Sequence, residues 1–298
     1  MKLLRHTVPG DIQDMPVFAY LKRAYPGIPQ YALREALSKK DVRVNGQRAG
    51  SGAHVTAGDE VKLYIADKYA GEGLAVLYEG GGLLVCEKPQ GLPVDLDGDG
   101  IGEDTLLSRT VSAYPGARLL HRLDAGTGGV ILLAIREDTC EAMLRAFREG
   151  TLIKEYTACL LGTPEKKAGT WEGYIAKDPS ESLVRVYESP REGAKRAVSD
   201  YSIVSETEYR GERLSLARIR IHTGRTHQIR AQAAHAGVPV IGDDKYGNRE
   251  ANRLLNARLP SLWCSAMELA GPAVPEHLRG LRFESSPRFP LMRLFEEG

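Results

Sequence analysis

The chain has 298 residues, 42% hydrophobic and 27% charged, with a net charge of +1. That is length for one large or two ordinary domains and the composition of a soluble globular protein. No stretch approaches the ~18 apolar residues of a membrane span, and the amino terminus lacks a charged-then-apolar leader, so a cytoplasmic protein is expected. Four cysteines, Cys86, Cys140, Cys159 and Cys264, lie far apart without CxxC spacing and read as buried thiols, not as a zinc site or disulfide frame.

In chain order, FAYLKRAYP and YALREALSKK predict two amphipathic helices, with Phe18, Leu21, Leu33, Ala36 and Leu37 on apolar faces and Pro16 at the first helix start. VRVNGQRA and HVTAGDEVKLYI alternate as strands, the first running into an Asn45-Gly46 hairpin signal. Residues 1–68 carry 11 Lys or Arg against 7 Asp or Glu, a balance of +4, which leaves the remainder at −3. A basic module on a near-neutral body is compatible with RNA binding, although four charges are a small bias.

A boundary is expected near residues 66–74. Beyond it AVLYE and LLVCEK flank Gly80–Gly82 as a hairpin ending in Lys88-Pro89-Gln90-Gly91. GGVILLAI predicts a buried strand, and EDTCEAMLRAFREG a helix with Cys140, Met143, Leu144 and Phe147 on one face, closed by Gly150. LIKEYTACLL, RAVSDYSIVSE and ERLSLARIRIH are further strands. In the last, the inward set changes from Leu214 and Leu216 to Ile219 and Ile221, which requires a bulge or register change. THQIRAQAAHAG predicts a helix stopped by Gly237, and SLWCSAMELA a late strand. Strands and helices without regular βαβ alternation predict an α+β fold built on a mostly antiparallel mixed sheet.

The most informative run is His121 to Ala134, HRLDAGTGGVILLA. It sets one carboxylate, Asp124, beside His121 and Arg122, on a small-residue turn at the mouth of a buried strand. On these residues alone, an ordinary turn aspartate bonding its own backbone accounts for the pattern. The run resembles the signature of the RluA family of pseudouridine synthases, HRLD followed by TSGLLLLA after two variable residues, with Gly128 in place of the usual Ser. Three further segments resemble the same family in the same order: VLYEGGGLLVCEKPQGLPV, IKEYTACLLG and TGRTHQIRAQAAHAGVPVIGDDKYG. The resemblance covers roughly residues 75–250. Residues 12–65 resemble the S-four fold, a small RNA-binding domain, although Met15-Pro16-Val17 departs from its usual opening. The organisation expected is an S-four-like module over 1–68 and a catalytic domain over 69–298.

The resemblance implies an RNA uridine isomerase in which Asp124 is the catalytic carboxylate, Tyr156 lies against the target base and Arg230 is the basic partner. The chemistry agrees with a single acid. Uridine isomerisation breaks the N-glycosidic bond, turns the base and rejoins it through carbon, with no net oxidation or hydrolysis, so no cofactor or metal is expected. A carboxylate must stay ionised in a pocket that excludes water, where desolvation favours the neutral acid. A planar guanidinium is the suited counter-ion. A uridine inside folded RNA must be flipped out to be reached. Arg122 is then placed to fill the vacated space, Ile229 to pack under the base, and His121 and His227 to serve as framework near bound RNA. In the amino-terminal module Lys22, Arg23, Arg34, Lys39, Lys40 and Arg43 are the expected RNA-facing cations.

Competing patterns are weaker. Asp95-Leu96-Asp97-Gly98-Asp99-Gly100 begins like a calcium loop, but its twelfth position is Leu106 instead of Glu. His222, His227 and His235 have no surrounding ligand set. The expected partner is RNA, ribosomal in preference to transfer RNA, bound by a monomer. The alternatives are a transfer-RNA enzyme and a non-catalytic RNA-binding protein of the same fold.

Overall fold

The computed structural model describes residues 2–25, 28, 30–66, 75–95, 105–178 and 183–295. The expected boundary at residues 68–69 and most of the acidic run after Asp95 lie outside them. The chain divides into two compact units, Met1–Ala75 with Pro93–Arg118, and Val76–Leu92 with Leu119–Gly298.

In the first unit both expected helices and the Asn-Gly hairpin form, two strands are added ahead of the helices, and the second expected strand is divided in two. Strand β1 (Lys2–Thr7) precedes the short β2 (Met15–Pro16), helices α1 (Val17–Ala24) and α2 (Gln30–Ser38), then β3 (Val42–Val44), β4 (Gln47–Ala49), β5 (His54–Val55) and β6 (Glu60–Ile65). Asn45 and Gly46 have φ of 48° and 81° and close the β3–β4 hairpin, the left-handed geometry that Asn-Gly favours. HVTAGDEVKLYI is two strands, because Thr56–Asp59 turns, with the Asp59 carboxylate accepting from the Thr56 backbone N–H at 2.7 Å. The sheet order is β1-β6-β3-β4. Tyr20, Leu21, Leu33, Leu37, Val42, Val61 and Leu63 form a core of its own. Helix α3 (Leu106–Ala113) also belongs to this unit and is capped reciprocally by Thr105 and Ser108.

The second unit is built on one long sheet. Its elements are β7 (Ala75–Gly80), β8 (Leu83–Lys88), β9 (Arg118–Leu119), β10 (Gly128–Ala134), helix α4 (Glu137–Glu149), β11 (Ile153–Leu161), β12 (Ala168–Lys177), β13 (Val184–Tyr187), β14 (Lys195–Tyr209), β15 (Glu212–Ile221), helices α5 (Gln228–His235) and α6 (Arg249–Leu254), β16 (Leu262–Glu268) and β17 (Arg282–Glu284). The strand order is β13-β12-β14-β15-β11-β16-β10-β8-β7, with β17 beside β16. The fold is α+β. Strands β12 to β15 and β11 pair antiparallel, whereas β10 runs parallel to β16 over Gly128↔Trp263 and Gly129↔Cys264. Every residue of β8 and β10 is buried, which explains why they read as continuous apolar runs instead of alternating ones. All four cysteines are buried free thiols.

Two sequence expectations acquire a physical form. The register change required in β15 is carried by its neighbour: Val204 of β14 is extruded between the partners of Ala217 and Leu216 and is 56% exposed. Helix α4 ends where Gly150 enters the left-handed region at φ 68°.

The parallel join of β10 to β16 depends on two glycines. A Cβ on Gly128 would stand 2.2 Å from the Trp263 ring, and one on Gly129, whose φ is 108°, would stand 2.2 Å from the Cys264 carbonyl oxygen. At Gly129 the smallest side chain therefore meets backbone, and at Gly128 a buried indole ring. Gly129→Ala is expected to destabilise the protein by about 2–5 kcal/mol in urea unfolding.

Candidate active site

Asp124 sits on the turn between β9 and β10, and the turn is held by groups buried around it. The Thr127 N–H donates to the Asp124 carbonyl at 2.9 Å, and the Gly91 N–H to the Ala125 carbonyl at 2.8 Å. Lys88, fully buried at the end of β8, donates to the carbonyls of Pro89, Leu92 and Ala125 at 3.0, 2.7 and 3.0 Å. Its three N–H groups meet three acceptors, so the ammonium ties two loops together beneath the carboxylate. Burial pulls Lys88 down to about 7, and the charge of Asp124 opposes that fall. The Gln90 side-chain amide adds bonds to the carbonyls of Gly126 and Pro260 at 2.8 and 2.6 Å.

Arg230 lies on α5 and reaches the same point from the other side. Its Nη1 donates to Asp124 Oδ2 at 3.0 Å. Its Nε and Nη2 fork onto the two oxygens of Asp243 at 2.6 and 2.8 Å. Asp243 is completely buried and also accepts from the backbone N–H groups of Lys245 and Tyr246 at 2.9 and 3.0 Å. Burial alone would favour its neutral form, but the Arg230 bonds and charge hold it below the usual carboxylate range. Burial likewise works against the Arg230 charge, and Asp243 and Asp124 together outweigh it.

The sequence analysis paired Arg230 with Asp124 alone. The structure adds Asp243 as the bidentate partner that fixes the guanidinium plane, leaving one tine for Asp124. The Asp243-Asp244 doublet inside the segment already quoted was the available signal. Lys88 is likewise a residue the sequence analysis passed over, although a lysine closing an apolar strand before Pro89 marks a buried cation.

The Asp124 side chain is 28% exposed. It is thus less enclosed than the water-excluding pocket expected from sequence. Oδ2 is the held oxygen, and Oδ1 has no hydrogen-bond partner among the described residues. His227 approaches Oδ2 with its Nε2 at 3.9 Å, while its Nδ1 is 2.8 Å from the Tyr246 hydroxyl, which itself accepts from the Val184 N–H at 2.8 Å. Tyr246 also lies under the Arg230 guanidinium at 5.3 Å.

The other expected site residues divide. Tyr156 is buried on β11, opposite Cys264 of β16 in the strand register. Burial, the adjacent Cys264 side chain and the Asp124 charge hold its phenol well above the ordinary value, so it stays protonated. Ile229 is buried one residue before Arg230, and Arg122 is exposed two residues before Asp124. His121 is framework: its Nε2 accepts from the Leu132 N–H at 3.1 Å and its ring stacks on Phe147 at 4.9 Å. In the first unit Arg23 pairs with Asp11 and Lys39 with Glu35. Lys22 and Arg34 both lie over Phe18, at 5.6 and 5.0 Å, Arg43 lies over Tyr64, and Lys40 is exposed. Of the three histidines weighed as ligands, His222 pairs with Asp200 and His227 with Tyr246.

Removing the charge of Asp243 would leave a guanidinium buried with only one partner of its former geometry. Asp243→Asn is expected to cost about 3–5 kcal/mol in urea unfolding.

Comparison with known proteins gives this geometry its context. A family model described as RNA pseudouridylate synthase matches residues 82–235. The chain is 32% identical over 254 residues to ribosomal large subunit pseudouridine synthase C of Rickettsia felis, covering 78% of this chain and 81% of the relative. It is 30% identical over 269 residues to the protein of the same name from Escherichia coli K12, covering 83% and 81%. Human RNA pseudouridylate synthase domain containing 1 has the same fold, with a TM-score of 0.58 at 24% identity over 76% of this chain and 94% of that one. A carboxylate with one oxygen clamped and one open, on a matching family segment, leads to one assignment: this chain belongs to the RNA pseudouridylate synthase family, as an RluA-type pseudouridine synthase.

Proposed function

We propose that this enzyme converts uridines of large-subunit ribosomal RNA to pseudouridine, with Asp124 acting at the sugar of a flipped-out nucleotide. The observation that carries the reading is the asymmetry of the Asp124 carboxylate, in which Oδ2 accepts from Arg230 while Oδ1 accepts from none of the described residues. A carboxylate bonded at both oxygens would be a structural ion pair, and one bonded at neither would rotate. One held oxygen fixes the plane and aims the other at an incoming carbon.

In this mechanism Oδ1 either adds to the sugar carbon or removes a proton from it as the N-glycosidic bond breaks. The base turns, carbon 5 bonds to the sugar, and the carbon-5 proton leaves. Arg230, itself fixed by Asp243, keeps Asp124 ionised and oriented throughout. Tyr156 packs against the base, and because its phenol is held protonated it serves as a donor or a stacking face, not as the base at carbon 5. Arg122 fills the space left by the extruded nucleotide, and Ile229 packs beneath the base. His121 braces the start of the Asp124 turn through its bond from the Leu132 N–H. The names of the relatives in Rickettsia and Escherichia coli favour ribosomal over transfer RNA. The amino-terminal unit, residues 1–68 in this reading, adds an RNA contact through Lys22, Arg34 and Arg43 on their aromatic supports, with Arg23, Lys39 and Lys40 at its surface. A cytoplasmic monomer suits such a substrate.

Tritium release from carbon-5-labelled uridine in RNA tests the catalytic assignment. Wild type is expected to release label and Asp124→Asn to lose at least about 10³-fold in rate. Release by both, or by neither, sinks it. Mapping pseudouridines in ribosomal and transfer RNA from cells lacking the protein separates the two targets. Tyr156→Phe is expected to lower the rate while leaving the shape of the pH profile between pH 6 and 9 unchanged, since a protonated phenol contributes no titration there. Loss of a limb in that profile would show that Tyr156 is the base.

A further inference from the structure

Two lysines are buried among the described residues, Lys88 and Lys154. Lys88 donates to three carbonyls. Lys154, only 9% exposed, has no hydrogen-bond acceptor and no carboxylate within ion-pair distance among the described residues. The stem is buried while Nζ itself is reached by solvent, because the Tyr25 hydroxyl is the one fully buried side-chain polar atom without a partner among the described residues. An ammonium so narrowly exposed is poorly hydrated, and no counter-ion offsets that loss.

Its surroundings make the imbalance larger. His121 is neutral, since its Nε2 accepts a backbone hydrogen bond. The Cys264 thiol is pushed up to about 12 by burial and is uncharged. The remaining ionisable neighbour is Arg225, a second cation whose charge acts against that of Lys154. The Arg225 Nε donates to the Arg196 carbonyl at 3.0 Å, which holds the guanidinium in place and leaves its two terminal nitrogens without partners among the described residues.

Gly224 connects this pair to solvent. It is exposed, and its φ lies outside the left-handed region, so its backbone does not require glycine. A Cβ there would meet nothing nearer than Lys154 Nζ, at an ordinary 3.8 Å. Neither strain nor packing demands glycine at 224. What its missing side chain does is leave the ammonium uncovered. Lys154 also shares a strand face with Tyr156, two residues on along β11, so the opening lies beside the proposed base-binding position.

We propose that Lys154 Nζ and the Arg225 guanidinium form a phosphodiester-binding subsite, entered past Gly224, that holds the RNA backbone next to the nucleotide presented to Asp124. Two cations without a counter-ion accept the negative oxygens that the protein does not supply. The proposal rests on the RNA-modifying reading above, and on an extended chain in which consecutive phosphates pass the site.

The test measures binding of a labelled RNA stem-loop to Asp124→Asn protein across a series of KCl concentrations, alone and combined with Lys154→Gln, Arg225→Gln or Gly224→Leu. Each added substitution is expected to weaken binding about tenfold. Each is also expected to make the dependence of log affinity on log salt shallower by about 0.7–0.9, the slope of one phosphate contact. Unchanged slopes for both Arg225→Gln and Gly224→Leu overturn the subsite, and these surface changes decide the matter should Lys154→Gln fail to fold. Amine acetylation of Lys154 read by mass spectrometry separates the sources of phosphate. Protection by the stem-loop supports the backbone assignment, whereas protection by inorganic phosphate with none from RNA overturns it. Wild-type tritium release measured in parallel keeps the two readings apart: its absence removes the catalytic proposal, while the salt slopes judge the subsite independently.

Discussion

The arrangement on which the site depends is one guanidinium hydrogen-bonded unequally to two carboxylates, with the exposed Asp244 a looser third neighbour at 3.6 Å. Asp243 takes two of its nitrogens and is sealed from solvent, while Asp124 takes one and is open. The inequality matters because an isolated buried arginine–aspartate pair is a costly structural device, and a pair exposed to water has little orientational memory. Here the buried half supplies rigidity and the open half supplies a usable oxygen. A neutral first partner would leave Arg230 free to rotate with Asp124, and the geometry that distinguishes a positioned acid from a surface acid would be lost.

The opposite side of Asp124 is fixed by backbone. Three carbonyls on Lys88, two on Gln90 and a close approach of β10 to β16 at Gly128 and Gly129 hold the turn in one conformation. The carboxylate is therefore located by buried groups bonded to the backbone of its own turn and of loops distant in sequence. Charge is arranged with the same economy. The neighbours with raised pKa, Tyr156 and Cys264, remain neutral, and His227 is pushed by burial toward its neutral form.

Several elements were legible in the residues themselves. The hairpin at Asn45-Gly46, the helix closed by Gly150 and the buried run Val130–Ala134 follow from local dihedral preference and apolar pattern, which a single sequence carries in full. The strands Ala168–Lys177 and Val184–Tyr187 are not legible in the sequence, because half-exposed strands of mixed polarity, the first carrying two glycines and the second at the sheet edge, lack a strong period. Strand β1 was missed for a related reason: KLLRHT is largely exposed and is held by pairing with β6 rather than by its own pattern.

For the site, the chain by itself named Asp124, Tyr156 and Arg230 through their motif positions and the electrostatic need of a buried acid for a counter-ion. It placed Asp243 and Lys88 within quoted segments without giving them work, because their roles consist of contacts to residues 13 and 37 positions away that no local pattern encodes. The order of strands that carries β11 and α5 to the same place, the one open oxygen of Asp124 and the uncovered ammonium of Lys154 were decided by tertiary structure. Local sequence specifies dihedral angles and hydrophobic faces; partner choice for a buried polar group depends on which distant atoms the folded sheet brings within 3 Å, and that is a property of the whole fold.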